Sequence, residues 1–200
     1  RAILRAAAHG PVRILLPMVT TPSEVRRARE ILGHAAHRLR RRRVAIPEAL
    51  PPVGAMIEVP GAALAADALA KTCDFFAIGS NDLTMYTLAI DRANEAVAHL
   101  FDPLHPAVLR LMQFSAEAGL RAGIPVSICG EIAGDPRFAA LLVGFGIKEL
   151  SMTATSIPRV KQRIRAMDAL AARRRALLIM DQTDSGRISM LLDDFNALQE

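Results

Sequence analysis

The sequence has little of what marks secreted, membrane-spanning or base-stacking proteins. Of its 200 residues, two are cysteine and none is tryptophan, and aromatic residues make up 4%. Two cysteines exclude a disulfide framework, and they favour a reducing, cytoplasmic compartment. No apolar run approaches the ~20 residues that span a bilayer and no signal peptide is visible, so we expect no membrane association.

The charge is biased toward arginine, which gives a net charge of +5 and includes the run Arg40–Arg43. Proteins that bind single-stranded nucleic acid place aromatic residues beside such basic runs, and this run has none. We therefore interpret it as the solvated end of a helix, where cations complement the helix dipole. Nucleic acid is not an expected partner.

The remaining composition is that of a folded domain, because 52% of the residues are hydrophobic and the mean hydropathy is +0.25. Short apolar runs alternate with helical patterns, which is typical of βα units on a parallel sheet. The runs cover residues 13–18, 53–58, 74–78, 126–129 and 149–152. We predict one α/β domain with parallel strands.

Capping residues and glycines indicate where the helices begin and end. The segment Thr21-Pro22-Ser23-Glu24 has the pattern of a capping box with proline at the first helical position. Gly33 is predicted to lie near a helix end. Further helices are predicted over residues 1–9, 159–178 and 188–198.

Two architectures accommodate this pattern. Five βα units are too few for a closed (β/α)8 barrel, so the chain fits either an open doubly wound sheet or the later part of a barrel. The open sheet normally carries a glycine-rich phosphate loop, and neither G-x-G-x-x-G nor a Walker A motif occurs. We therefore favour the later part of a (β/α)8 TIM barrel, followed by a helical C-terminal tail.

Functional side chains follow three neighbouring predicted strands. Glu58, the pair Asn81-Asp82, and Cys129 each stand at a strand end, and in parallel α/β folds these ends form the active face. Two carboxylates in one place repel unless a cation neutralises them. Oxygen ligands with open positions suit Mg²⁺, so Glu58 and Asp82 are candidate metal ligands.

Other residues of this region are open to two interpretations. Asn81 or Asp82 is predicted to cap a helix, which is either plain capping or a phosphate site at the helix N-terminus. Arg92 is either a surface residue or a fork for phosphate or carboxylate. Cys129 is either a small inert hydrophobe or a proton donor, whereas Cys73 precedes its strand and is predicted to be structural.

Longer motifs resemble a known family. Residues 74–84, continued by 86–92, resemble the second signature of the phosphoenolpyruvate-utilising enzymes. The continuation is more similar to Enzyme I of the bacterial sugar phosphotransferase system than to pyruvate phosphate dikinase or phosphoenolpyruvate synthase. Residues 16–18, 56–60 and 129–135 match as well, and so do 151–159.

The resemblance implies a fold and specific roles. It implies a homodimeric (β/α)8 barrel in which Glu58 and Asp82 bind Mg²⁺. Asn81, Asp82 and Arg92 would bind phosphoenolpyruvate, and Cys129 would give a proton to the enolate carbon. The enzyme would be a phosphotransferase that passes the phosphoryl group to one of its own histidines and then to the phosphocarrier HPr for sugar uptake.

This sequence departs from the family pattern at two positions. Ser80 stands where the family often has threonine, which keeps the hydroxyl. Met85 stands where the family usually has glutamine, which removes a polar group and is expected to change substrate affinity slightly.

The resemblance also implies that residues 1–200 are a partial domain. The phosphohistidine domain, the HPr-binding part and the first barrel units are not among them, so we expect the chain to be inactive in phosphotransfer alone. Three other interpretations remain. They are the carboxyl domain of a dikinase or synthase, a Mg²⁺-dependent lyase or aldolase barrel, and a non-catalytic dimerisation module that binds phosphoenolpyruvate.

Overall fold

A five-stranded parallel sheet organises the computed structural model, which describes residues 1–197. The strands are β1 (Ile14–Leu16), β2 (Val53–Ile57), β3 (Phe76–Gly79), β4 (Val126–Cys129) and β5 (Glu149–Ser151). All five predicted strands are confirmed, with bounds that differ by at most two residues.

Helices connect and cover the strands. Over the described part of the chain they are α1 (Ala2–Ala6), α2 (Pro22–Arg41), α3 (Pro60–Leu64), α4 (Ala66–Ala70), α5 (Ser80–Leu88), α6 (Pro106–Ala122), α7 (Pro136–Gly144), α8 (Ile157–Ala166), α9 (Ala169–Met180) and α10 (Ser185–Ala197). Two 3₁₀ helices lie at Ala98–Leu100 and Glu131–Gly134. Within residues 1–197, no helix has both the length and the apolar character needed to cross a bilayer.

The order of the strands in the sheet is their order in the chain, β1-β2-β3-β4-β5. In register, Ile57 lies opposite Ile78, and Ile78 lies opposite Ile128. A doubly wound sheet requires a point where the strand order reverses, and none occurs among the described strands. The α/β prediction with parallel βα units is confirmed, and the winding is that of a barrel wall.

The sheet is curved, as an ion pair between its two edges shows. Arg13, just before β1, lies 3.5 Å from Glu149, the first residue of β5. In a flat sheet the first and fifth strands would be about 19 Å apart, which is too far for these two side chains to span. The two edge strands therefore lean toward each other at their amino-terminal ends.

The core lies between the middle strands and the helices α3, α4 and α6. The largest fully buried side chains of this layer come from strands and helices alike, and they include Ile57, Phe76, Ile78, Leu69, Leu109, Met112 and Ile128. Burying a side chain of this size contributes about 1.5–3 kcal/mol. This packing holds the ends of β2, β3 and β4 in fixed positions relative to each other.

Helix α2 confirms one predicted boundary and corrects another. Its capping box is formed, since Glu24 Oε2 accepts a 2.8 Å hydrogen bond from the backbone N–H of Thr21. The prediction that Gly33 lies near a helix end is wrong. Val25, Ala36 and other buried residues give α2 a continuous apolar face, and this packing outweighs the weak helix propensity of one glycine.

Other helix boundaries also differ from the predictions. The first helix is shorter than 1–9, because α1 ends at Ala6. The predicted helix 159–178 is two helices, separated where Asp168 caps α9 by accepting a 2.9 Å hydrogen bond from Leu170 N–H. The predicted last helix corresponds to α10, although Leu198 lies outside the described residues.

Candidate active site at the carboxyl ends of β2, β3 and β4

The predicted site residues come together because three adjacent strands end at one edge of the sheet. Gly79, the last residue of β3, lies directly opposite Cys129, the last residue of β4. Glu58 follows β2 in the same position. The structure therefore places Glu58, Asp82 and Cys129 in one group at the carboxyl edge of the sheet.

Glu58 is a buried carboxylate, only 4% exposed. Its Oε1 accepts a 2.7 Å hydrogen bond from the backbone N–H of Met18. Burial raises the pKa of Glu58, the Met18 N–H lowers it, and the neighbouring Asp82 carboxylate raises it through repulsion and a hydrogen bond. The net pKa of Glu58 is raised from its ordinary value, mainly by burial and further by the second acid at the same site.

Met18 is a functional position that the sequence reasoning missed. It follows β1 and adopts φ of +56°, in the left-handed region that non-glycine residues rarely occupy. This conformation aims its N–H at Glu58. The contribution comes from the backbone, so residue type did not reveal it, and the only signal was the family match at residues 16–18. Strained backbone of this kind concentrates at functional sites.

Gly79 makes room for Glu58. A Cβ on Gly79 would lie 2.9 Å from both Cβ and Oε2 of Glu58, a distance at which the carboxylate would have to shift. The absence of a side chain at the end of β3 therefore lets the Glu58 side chain lie against that strand.

The N-cap of helix α5 lies two or three residues earlier than predicted. Gly79 is its N-cap residue, no side chain forms a cap hydrogen bond, and Asp82 lies in the first turn. The prediction that Asn81 or Asp82 is the cap is therefore wrong. The carboxylate of Asp82 still lies where the positive end of the helix dipole favours it, and the N–H groups of the first turn have no partners within the helix.

Ser80 connects α5 to the cysteine. Its buried hydroxyl donates a 2.7 Å hydrogen bond to the backbone carbonyl of Cys129. The hydroxyl that serine shares with threonine is thus used in this structure. It ties the start of α5 to the end of β4.

Cys129 is a partly buried thiol. Its Sγ lies 3.6 Å from the carbonyl oxygen of Ile78, to which it can donate. Burial raises the pKa of Cys129, and the nearby carboxylates of Glu58 and Asp82 raise it further. The thiol therefore carries its proton at neutral pH. Cys73, in contrast, belongs to the main hydrophobic core.

Arg92 lies at the rim of the site. It is connected to Asn81 through Glu131, which contacts both residues. Its guanidinium forms an ion pair with the Glu131 carboxylate and stacks 4.5 Å above the ring of Phe101. The backbone N–H of Glu131 donates a 3.2 Å hydrogen bond to Asn81 Oδ1. Asn81 and Arg92 are thus both engaged by Glu131.

A cleft of about 750 Å³ opens beside Cys129, Asn81 and Glu131. Its other side is formed by the segment after β5, including hydroxyl groups and Arg159 at the start of α8. The sequence reasoning matched residues 151–159 to the family but assigned them no role. The cleft extends the site from β4 toward β5.

The donors at this site fit a magnesium ion, although residues 1–197 contain no cluster of three or more His, Cys, Asp and Glu side chains arranged to hold a metal. Burial raises the pKa of Glu58, and repulsion by the nearby Asp82 carboxylate raises it further. A cation relieves that repulsion. Mg²⁺ binds through one or two carboxylates and takes its other ligands from water and substrate phosphates.

The parallel strands follow one another in chain order, and two acids and a thiol lie at their carboxyl ends. Together these features define the class of protein as a barrel-type α/β enzyme domain. Within that class, the chain belongs to the phosphoenolpyruvate-utilising enzymes. The family model described as "PEP-utilising enzyme, PEP-binding domain" matches residues 1–169.

Curated relatives agree with this assignment. A phosphoenolpyruvate-protein phosphotransferase of Cupriavidus necator is 50% identical over 164 residues, covering 82% of this chain and 28% of the relative. The protein of the same name from Haemophilus influenzae is 40% identical over 195 residues, covering 98% of this chain and 34% of the relative. The chain thus spans about a third of the length of these relatives.

Solved structures share the fold. A citrate lyase from Burkholderia xenovorans aligns with a TM-score of 0.58 and 22% identity, over 99% of this chain and 68% of that one. An HpcH/HpaI aldolase/citrate lyase family protein from Burkholderia cenocepacia aligns with a TM-score of 0.53 and 22% identity, over 80% of this chain and 67% of that one. At this identity the similarity concerns the architecture alone.

Proposed function

We propose that this chain is the phosphoenolpyruvate- and Mg²⁺-binding part of a phosphoenolpyruvate-protein phosphotransferase. The observation that carries the proposal is the placement of Glu58, Asp82 and Cys129 together at the carboxyl ends of β2, β3 and β4, where both carboxylates raise the pKa of the thiol. The names of the curated relatives support the substrate and the reaction.

Glu58 and Asp82 would hold the metal ion. Bound there, Mg²⁺ would supply positive charge that stabilises the enolate formed when the phosphoryl group leaves. The chain's own contribution is to orient both ligands. The Met18 N–H fixes Glu58, and the first turn of α5 fixes Asp82.

Asn81 and Arg92 would bind the phosphate of the substrate, together with the N–H groups at the start of α5. A guanidinium fork matches the oxygens of a phosphate, and a helix N-terminus favours an anion. These groups stabilise the charge that redistributes during transfer.

Cys129 would complete the reaction by protonating the enolate. The S–H bond breaks, a C–H bond forms at the methylene carbon of the enolate, and pyruvate leaves. The thiolate then takes a proton from water. Its raised pKa suits this role, because the group must carry a proton at neutral pH before it can give one.

The phosphoryl acceptor in this proposal is a histidine outside residues 1–200, from which the group passes to HPr during sugar uptake. We further propose that the assembly is a homodimer and acts in the cytoplasm. The chain spans about a third of its relatives, which leaves room for such an acceptor domain.

Isothermal titration of the 200-residue chain with phosphoenolpyruvate tests the proposal. We expect binding with Mg²⁺, much weaker binding without it, and loss of the Mg²⁺-dependent part in Asp82→Asn. A hybrid that joins this chain to the amino-terminal part of the Cupriavidus necator relative should form phosphohistidine and pyruvate. Failure of wild-type binding, or Mg²⁺-dependent retro-aldol activity without phosphohistidine, would contradict the proposal.

A further inference from the structure

Glu131 makes two contacts with the side chains that the proposed function assigns to the substrate phosphate. Its carboxylate forms an ion pair with Arg92. Its backbone N–H donates to Asn81 Oδ1 at 3.2 Å. One residue, directly after Cys129 and Gly130, therefore engages both phosphate-binding groups.

A carboxylate is a chemical substitute for a phosphate at a guanidinium, because the two planar N–H groups of arginine fit the oxygens of either anion. We infer that Glu131 is an internal competitor for the substrate, and that the phosphate displaces its carboxylate from Arg92 on binding. This inference rests on the proposed function, since it takes Arg92 as a phosphate ligand.

The backbone of this segment is held in place, so only the Glu131 side chain would need to move. Gly130 adopts φ of +104°, and a Cβ there would lie 2.2 Å from Ser80 Oγ. The same hydroxyl is bonded to the carbonyl of Cys129. The segment is therefore fixed to the first turn of α5 by close approach and by a hydrogen bond.

The Glu131 side chain itself is 64% exposed. An exposed ion pair contributes little free energy, so the carboxylate can rotate into water at small cost. The substrate phosphate, which carries more negative charge than a carboxylate, can therefore displace Glu131 from Arg92.

Arg92 has a second support that does not depend on Glu131. Its guanidinium lies 4.5 Å from the centroid of the Phe101 ring, and such a cation–π contact persists when the carboxylate leaves. Removing the Glu131 charge should therefore free Arg92 for the substrate without disordering it. If Glu131 instead positions Arg92, removing the charge should weaken binding.

The test is the dissociation constant for phosphoenolpyruvate, measured with Mg²⁺ by isothermal titration of the 200-residue chain. Glu131→Gln should lower it about threefold to fivefold, the range for loss of an exposed ion pair. The matched control is Glu95→Gln, which removes the same charge three residues after Arg92, from a side chain without an ion pair within residues 1–197. It should stay within about 1.5-fold of wild type.

A second ligand separates competition from a general effect of charge. Oxalate is a dianion whose oxygens would take the place of the enolate and carboxylate oxygens at the metal ion rather than of the phosphate at Arg92, so its dissociation constant should stay within about 1.5-fold in Glu131→Gln. An unchanged or higher constant for phosphoenolpyruvate in Glu131→Gln would overturn the inference. An equal gain in affinity for phosphoenolpyruvate in Glu95→Gln would also overturn it. The same holds for an equal gain in affinity for oxalate in Glu131→Gln. Absence of binding in the wild-type chain would instead remove the proposed function itself.

Discussion

The backbone N–H of Met18 donates a 2.7 Å hydrogen bond to Glu58 Oε1 across forty positions of the chain. The bond joins the turn after β1 to the carboxylate after β2, and it lowers the pKa of that buried acid. A carboxylate held in this way has one oxygen satisfied and the other turned toward β3, near Gly79. In the proposed function, Mg²⁺ would balance the charge of this carboxylate.

Glu58→Gln should abolish Mg²⁺-dependent binding of phosphoenolpyruvate, because a neutral amide is a poor ligand for a hard cation. We expect the affinity measured with Mg²⁺ by isothermal titration to fall about 10²-fold. Glu48→Gln, which removes an exposed carboxylate in the loop before β2, is the matched control and should bind as wild type does. Unchanged Mg²⁺-dependent affinity in Glu58→Gln would contradict the metal role.

The same variant should also change the pH dependence of stability. The folded pKa of Glu58 is raised, so its unfolded form loses the proton first as pH increases, and stability is lost as pH rises through the folded pKa. Without Mg²⁺, Glu58→Gln should therefore have a higher free energy of unfolding than wild type at about pH 8. The difference between the two proteins should be smaller near pH 4. Urea denaturation at the two pH values measures this. A variant that is less stable at the higher pH would show that the burial cost is already offset.

Cys129→Ala in the hybrid enzyme should slow pyruvate formation about 10²- to 10⁴-fold, the usual contribution of a general acid. Binding of phosphoenolpyruvate should remain close to wild type, because the thiol is not a ligand in the proposed mechanism. Rapid-quench measurement of pyruvate, beside a titration of binding, separates the two effects. Near-normal turnover would exclude Cys129 as the proton donor, and Cys73→Ala serves as the cysteine control.

Mg²⁺ should make Cys129 more reactive. Two of the causes that raise its pKa are the carboxylates of Glu58 and Asp82, and a bound cation would neutralise both. In a Cys73→Ser background, alkylation by iodoacetamide near neutral pH should accelerate about two- to tenfold on addition of Mg²⁺. In Glu58→Gln in the same background, Cys129 should be alkylated faster than in the parent without Mg²⁺. Adding Mg²⁺ should accelerate its alkylation less. A rate that Mg²⁺ does not change would indicate that the cation binds elsewhere.

Asp193 should stabilise the C-terminal helices through its bond to α7. Arg137 Nε donates to it at 2.6 Å, and this hydrogen bond lowers the pKa of Asp193. An acid with a lowered folded pKa contributes stability above its unfolded pKa and loses it as pH falls through the folded pKa. Asp193→Asn should reduce the free energy of unfolding by about 0.5–1 kcal/mol at about pH 7, since the pair is largely exposed, and by less near pH 2.

Urea denaturation at both pH values measures the Asp193 effect. Asp194→Asn is the control, because the neighbouring Asp194 side chain forms no ion pair within residues 1–197. An equal loss in both variants, or a loss independent of pH, would show that the Arg137 bond is not the cause.

Local sequence patterns were sufficient to predict the strands and the start of α2. Alternating apolar runs and caps such as Thr21–Glu24 depend on neighbours within a few residues, and those neighbours are present in the sequence itself. The prediction at Gly33 failed for the opposite reason. Whether a helix continues through a glycine depends on the apolar face buried beyond it, which is a tertiary property.

The sequence by itself determined which chemical groups stand at the strand ends, namely the acids Glu58 and Asp82 and the thiol of Cys129, because a parallel βα pattern assigns each residue an end of its strand. The tertiary structure alone decided the pKa values and the contacts of the site residues. The raised pKa values, the Met18 bond to Glu58 and the engagement of Arg92 by Glu131 depend on distances between segments far apart in the chain. Local periodicity carries no information about those distances, since they are set by how the curved sheet packs against its helices.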